Sequence, residues 1–159
     1  MKSVAVSDTS TLIILSRLGY LPLLTNLFDK ILVPRRVVDE ISLKQDGVSN
    51  DIWRGKHFEI TECKDEALLR LLDGLLDYGE AEAIAIAKKR DVVLLIDEKK
   101  GRKIALNMGI RIIGFLGILR LNHNSRHLQK SEIEVILRET KKLGFRLSSK
   151  LEQQFFSLL

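Results

Sequence analysis

Four short apolar runs constrain this chain more than any other feature: Val4-Ala5-Val6, Ile31-Leu32-Val33, Val92-Val93-Leu94-Leu95-Ile96, and Ile112-Ile113 after Arg111. Continuous runs rich in Val and Ile, without polar alternation, are what strands buried on both faces look like. Between them the apolar residues fall at helical spacing. Leu12, Leu15 and Leu18 are followed by Leu23, Leu24, Leu27 and Phe28. Pro34, tolerated at a first helical position, precedes the stripe Val37, Val38 and Ile41. A leucine-rich run covers 67–76, an alanine-rich segment follows Gly79 from Glu80 to Lys89, and a further helix is expected over 98–108. Strands alternating with helices imply right-handed crossovers and a parallel sheet covered on both sides. His57 to Ile60 offers a peripheral strand or a loop. Beyond residue 115 the pattern is helical to the end, with a break expected at Gly144. The fold class read from this pattern is α/β with a helical tail.

A chain of 159 residues fits one domain, able to bury roughly 68–70% of the surface its unfolded form exposes. No repeat, low-complexity tract or Gly/Ser linker divides it. Cys63 is the only cysteine, which excludes an internal disulfide framework and any multi-thiolate site. No apolar run approaches the ~20 residues of a membrane helix, and Asp8 arrives too early for a signal peptide. A soluble, cytoplasmic protein is expected. Charge is uneven: residues 1–97 carry 13 Lys/Arg and 16 Asp/Glu, whereas residues 98–159 carry 13 and 5. A basic half beside an acidic half fits a protein that attracts a polyanion while holding a cation.

The two best strands end alike, in Val6-Ser7-Asp8 and Leu95-Ile96-Asp97. Ligands of open parallel sheets bind outside the carboxyl ends of the strands, where strand order reverses. Neighbouring strands there would aim both aspartates into one cleft; capping of the next helix is the ordinary alternative for each. In Val37-Val38-Asp39-Glu40-Ile41, Glu40 lies at the edge of the buried stripe and Asp39 points more to solvent. In Gly79-Glu80-Ala81-Glu82-Ala83, Glu80 falls in a first helical turn, where the helix dipole favours an acid. The small alanines would let that helix approach the sheet and carry Glu80 into the cleft, and Glu82 stands one step round. Two unit charges ~4 Å apart repel by about 4 kcal/mol at an effective dielectric of about 20. Four converging carboxylates therefore require protons or a cation. Oxygen-only donors select Mg²⁺ or Mn²⁺ over zinc, and such an ion suits phosphodiester chemistry.

These residues resemble the PIN-domain ribonucleases, particularly the compact toxins of prokaryotic toxin–antitoxin modules. The likeness rests on Val6-Ser7-Asp8-Thr9-Ser10, Leu32-Val33-Pro34 with Val38-Asp39-Glu40-Ile41, Gly79-Glu80-Ala81-Glu82-Ala83, and Leu94-Leu95-Ile96-Asp97. It covers roughly residues 1–120, leaving 121–159 as a helical extension on the same domain. It implies a three-layer α/β/α sandwich with a central parallel sheet and Mg²⁺- or Mn²⁺-dependent RNA cleavage. By the same resemblance Asp8, Glu40, Glu80 and Asp97 form the catalytic acidic cluster, with Asp8, Glu80 and Asp97 as metal ligands. Ser10, or Thr9, would steady the cluster. A homodimer and a small inhibitory antitoxin are implied as partners. Two positions depart from the family pattern: the third acid is usually Asp and here is Glu80, and Lys99 stands where many members carry a further acid. Lys99, Lys100, Arg102 and Lys103 would lie beside the cleft and could contact RNA phosphates, or could form a solvated helix face.

Other constellations carry less. His123 and His127 are four apart, but Asn122, Asn124 and Ser125 argue for a turn and no third zinc ligand is evident. Gly114-Phe115-Leu116-Gly117 lacks the Lys-Ser/Thr ending of a phosphate loop. Trp53 and the scattered phenylalanines form no aromatic platform. A non-catalytic PIN-like RNA-binding or regulatory module is the alternative function. A response-receiver domain also sets aspartates at strand ends, but it expects a lysine after the last strand, where Gly114 stands.

Overall fold

The computed structural model describes residues 3–43 and 55–159; Met1, Lys2 and residues 44–54, Trp53 among them, lie outside the described residues. Five parallel strands, β1 (Val4–Ser7), β2 (Lys30–Pro34), β3 (Phe58–Thr61), β4 (Val93–Leu95) and β5 (Ile112–Ile113), form one sheet in the order β3-β2-β1-β4-β5. The described helices are α1 (Thr9–Leu18), α2 (Pro22–Thr25), α3 (Arg35–Leu43), α4 (Glu66–Asp73), α5 (Tyr78–Arg90), α6 (Lys99–Asn107), α7 (Phe115–Asn124), α8 (Lys130–Lys142) and α9 (Ser149–Ser157).

Alternation along each strand builds the layers, because successive side chains leave opposite faces of a sheet. Ala5, Ile31, Val33 and Leu95 pack with Leu12, Leu24, Val37, Phe115, Ile118 and Ile136 on one side. Val6, Leu32, Leu94 and Ile96 pack with Leu69, Leu72, Ile84, Ile86 and Ala105 on the other. Both faces are thus covered by helices, which is why the strands read as unbroken apolar runs. The architecture is a three-layer α/β/α sandwich. Ile133, Ile136 and Leu137 of α8 and Phe155 of α9 are buried in the same core as α1, so the C-terminal helices complete one of the two helical layers.

Details depart from the sequence pattern at boundaries. Pro34 ends β2, paired with Thr61, rather than opening α3; with no N–H to donate, proline is confined to such strand margins. His57 to Ile60 resolves as the edge strand β3, starting at Phe58. The break at Gly144 is a left-handed residue, φ 97°, between α8 and α9. α7 stops at Asn124, and the His123 ring meets the Leu128 carbonyl at 3.0 Å, closing the turn. Among the described residues no helix is long and apolar enough to cross a membrane.

Candidate functional site

The chain winds outward from β1 to β2 and β3, then returns to β4 on the opposite side of β1. The crevice beyond β1 and β4 is therefore the switch point where such sheets bind ligands. Ser7 is in register with Leu95, and the Asp8 N–H donates to the Leu95 carbonyl at 3.0 Å. Asp8 follows β1 directly and Asp97 follows β4 by two residues. Both acids thus leave the same end of adjacent strands.

Asp8 is buried and caps α1, its Oδ1 accepting from the Thr11 N–H at 2.9 Å. Burial pushes its pKa up to about 6, opposed by Thr11 and reinforced by the charge of Asp97. That repulsion is the electrostatic link between the two strand-end acids. Asp97 does not cap the helix that follows it. Its Oδ1 accepts from the Phe115 N–H at 3.0 Å, fastening the start of α7 to β4. Burial raises Asp97, against the lowering effects of that N–H and of Arg102. The α6 cap is Glu98, which accepts from Lys100 N–H at 3.0 Å and Gly101 N–H at 2.6 Å.

Glu40 reaches the same crevice from α3, where Thr9 Oγ1 donates to its Oε2 at 3.1 Å. Thr9 is the hydroxyl that meets this cluster; Ser10 is exposed on the rim. Glu80, in the first turn of α5, has Oε2 buried with no hydrogen-bond partner among the described residues. Burial, and then the carboxylates of Asp77 and Glu98, push its pKa up to about 8. Burial alone would also raise Glu98, but the Gly101 and Lys100 amides and the Glu80 proton hold it below its ordinary value. Within this pair Glu80 is the acid pushed upward and Glu98 the one held down.

Three glycines make this crowding sterically possible. A Cβ at Gly79 would collide with Glu40 Oε1. One at Gly101 would lie 2.6 Å from Glu80 Oε2, and one at Gly114 would lie 2.9 Å from Asp97 Oδ1. Each acid is seated against bare backbone.

Asp8, Thr9, Ser10, Glu40, Asp77, Glu80 and Glu98 line a cavity of about 190 Å³. Asp97 and Arg102 line a neighbouring cavity of about 480 Å³. Lys99 and Lys103 are exposed on α6 and line neither. Asp77 and Glu98 are the members that sequence reasoning did not single out. The available signal was their offset, each three residues before a residue of the site, Glu80 and Gly101. Asp77 occupies the α5 cap position but makes no side-chain cap bond, which leaves its carboxylate to the cavity. Glu82 is structural: buried, it accepts from Arg36 N–H at 2.9 Å and Cys63 N–H at 3.2 Å.

A divalent cation fits the chemistry of this cluster. The donors are all oxygen, and Glu80 Oε2 and Asp97 Oδ2 are both buried without partners, as an ion's ligands would be. Among the described residues no three His, Cys, Asp or Glu side chains stand arranged around a single ion position, so side-chain rotation would accompany binding.

Comparison with known proteins agrees with the fold. A PilT N-terminus domain protein from the hyperthermophilic archaeon Sulfolobus solfataricus P2 superposes with a TM-score of 0.52 at 20% identity, over 79% of this chain and 96% of that one. VapBC2 from Rickettsia felis, in a structure bound to a DNA fragment from their promoter, gives 0.50 at 14% identity, over 70% of this chain and 98% of that one. A search of the curated proteins finds no significant match. The PIN domain family model matches residues 4–159, and it thereby takes in the C-terminal helices that complete the core. On that match, over nearly its whole length, the chain belongs to the PIN domain family.

Proposed function

We propose that this protein is a metal-dependent endoribonuclease, the toxin of a cytoplasmic toxin–antitoxin pair, with Asp8, Glu40, Glu80 and Asp97 as its catalytic acids. The observation that carries the proposal is that acids from β1, α3 and α5 line one cavity at the switch point and Asp97, after β4, lines the next, with two buried, unpartnered oxygens among them. PIN domains are generally nucleases, and the VapBC2 likeness supports an antitoxin partner. A homodimer belongs to the same proposal.

Asp8, Glu80 and Asp97 are the residues that would hold Mg²⁺ or Mn²⁺. Such an ion, when bound, supplies a neutralising charge and a more acidic water. The chain's own contributions are positional. Thr9 fixes Glu40, the Phe115 amide fixes one oxygen of Asp97, and the Thr11 amide fixes one of Asp8. Glu80, pushed up to about 8 by burial and its neighbours, would retain a proton at neutral pH until a positive charge stood beside it. The basic second half, with Arg102 at the crevice and Ser10, Lys99 and Lys103 near it, would hold the RNA backbone.

The test is cleavage of mixed RNA by purified wild type, Glu80→Gln and Asp97→Asn, with Mn²⁺ and with EDTA. Cleavage that needs Mn²⁺ and falls at least about a hundredfold in each variant is expected. RNA bound without metal and never cut would instead make the protein a regulatory RNA-binding module.

A further inference from the structure

The second cavity has a composition that the acidic cluster does not explain. Asp97 lines it: its Oδ1 is held by the Phe115 amide, while its Oδ2 is buried with no partner among the described residues. Arg102 stands beside it, on the open floor left by Gly114. The opposite wall comes from the C-terminal segment. There the left-handed Gly144 turns the chain back so that Phe145 packs against Phe115, ring centroids 5.3 Å apart. Arg146 is then directed outward beside Leu147 and Leu151, with Leu116 of α7 completing the apolar side. Arg146 has no hydrogen bond or ion pair among the described residues, and Leu151 is 46% exposed although it is a large apolar side chain.

Guanidinium groups beside an apolar wall match two chemistries of a nucleotide. Arginine suits a phosphate through its planar fork. An apolar surface suits the face of a base. A bare polyanion would need no apolar wall. About 480 Å³ also falls within the usual range for small-ligand sites, about 300–1,000 Å³. We propose that this cavity binds one nucleotide of the substrate strand, adjacent to the bond that is cut. Arg102 and Arg146 take its phosphate, and its base lies against Leu116, Leu147 and Leu151. The inference rests on the ribonuclease reading for its place in the reaction, but its binding step can be measured without cleavage.

Two measurements test it. Nucleoside 5′-monophosphates are titrated into ¹⁵N-labelled full-length protein in EDTA, with inorganic phosphate and polyglutamate as controls. The Gly114, Gly117 and Arg146 amides are expected to shift with the nucleotide and not with either control. In parallel, Arg146→Ala and Leu151→Glu, both at exposed positions, are assayed on a short oligoribonucleotide with Mn²⁺. KM is expected to rise about tenfold in each, from one lost charged contact in Arg146→Ala and from a lost apolar face with an added negative charge in Leu151→Glu, with kcat within about twofold. Shifts that polyglutamate reproduces, shifts elsewhere on the molecule, or no shift at all overturn the inference. So does an unchanged KM in both variants while wild type cleaves, and that result leaves the ribonuclease reading intact. Nucleotide shifts at these amides in a protein that never cuts RNA would sustain the binding site and overturn the ribonuclease reading instead.

Discussion

At the scale of single residues, Asp8 combines two roles that make different demands on it. As the α1 cap it needs only an acceptor oxygen, which asparagine supplies about equally well. As a buried acid it is costly to ionise, with a pKa near 6, and Glu80 is costlier still, near 8. A carboxyl raised in the folded state holds a proton that the unfolded chain releases, so stability is full below the unfolded pKa and declines as pH rises through the folded one. In EDTA, wild-type Tm is therefore expected to fall as pH rises from about 4 to about 8. Asp8→Asn should reduce the slope only below about 6, whereas Glu80→Gln should remove it above about 6 and reduce it below. Mn²⁺ should restore Tm at pH 8 in wild type alone. A Tm that stays level or climbs across that range in EDTA would show that the acids are not crowded as described. The sequence made Asp8 and Glu80 visible as candidates because each ends a strand or opens a helix. It could not show that both are pushed upward, since that depends first on burial and then on the neighbours Asp97, Asp77 and Glu98, which only the fold assembles.

Elements are tied to one another by a second set of polar contacts, distinct from the acidic cluster. Buried Glu82 on α5 accepts from the amides of Arg36 and Cys63. The Arg36 guanidinium donates to Asp73 Oδ1 at 2.6 Å and to the Tyr78 carbonyl at 3.2 Å, and lies 4.4 Å from the centre of the Tyr78 ring. Together these pin α3, which carries Glu40, to α4 and α5, which precede and carry Glu80. Removing Glu82 would leave two amides without their acceptor, at roughly 1–3 kcal/mol each. Glu82→Ala is accordingly expected to lower unfolding free energy by about 2–4 kcal/mol in urea. A loss under about 0.5 kcal/mol, typical of a surface change, would mean that Glu82 does not hold these helices. Adjacency on α5 left Glu80 and Glu82 both in play from sequence. A period of 3.6 residues separates their directions, but only the packing of α3 and the segment after β3 decides which one faces the cavity. Helix α4 and the alanine-rich α5 were legible for the opposite reason, since buried periodicity is a property of the segment itself.

Over the whole molecule, the apolar runs specified two covered sheet faces, and the strand order β3-β2-β1-β4-β5 then converted linear distance into proximity. Asp8 and Asp97 are far apart in the chain and leave the same edge of the sheet, on neighbouring cavities, because β4 lies beside β1. The C-terminal helices were legible as helices but not as part of the core, because the stripe on α8 names no partner until α1 is in place. Burial of Ile133, Ile136 and Leu137 contributes roughly 1.5–3 kcal/mol each, comparable to much of a domain's net stability of about 5–15 kcal/mol. A chain ending at residue 128 is expected to lose its cooperative thermal transition, followed by circular dichroism. A sharp unfolding transition in that truncated chain would mean that residues 4–128 form a sufficient core. Acids brought from four elements are expected to act together on one divalent cation, and isothermal titration of Mn²⁺ into wild type, Asp8→Asn and Glu80→Gln at pH 7.5 is the deciding experiment. Binding to wild type with release of protons, weakened at least about tenfold in each variant, is the predicted result. Equal Mn²⁺ affinity in all three proteins, or none in wild type, would contradict it.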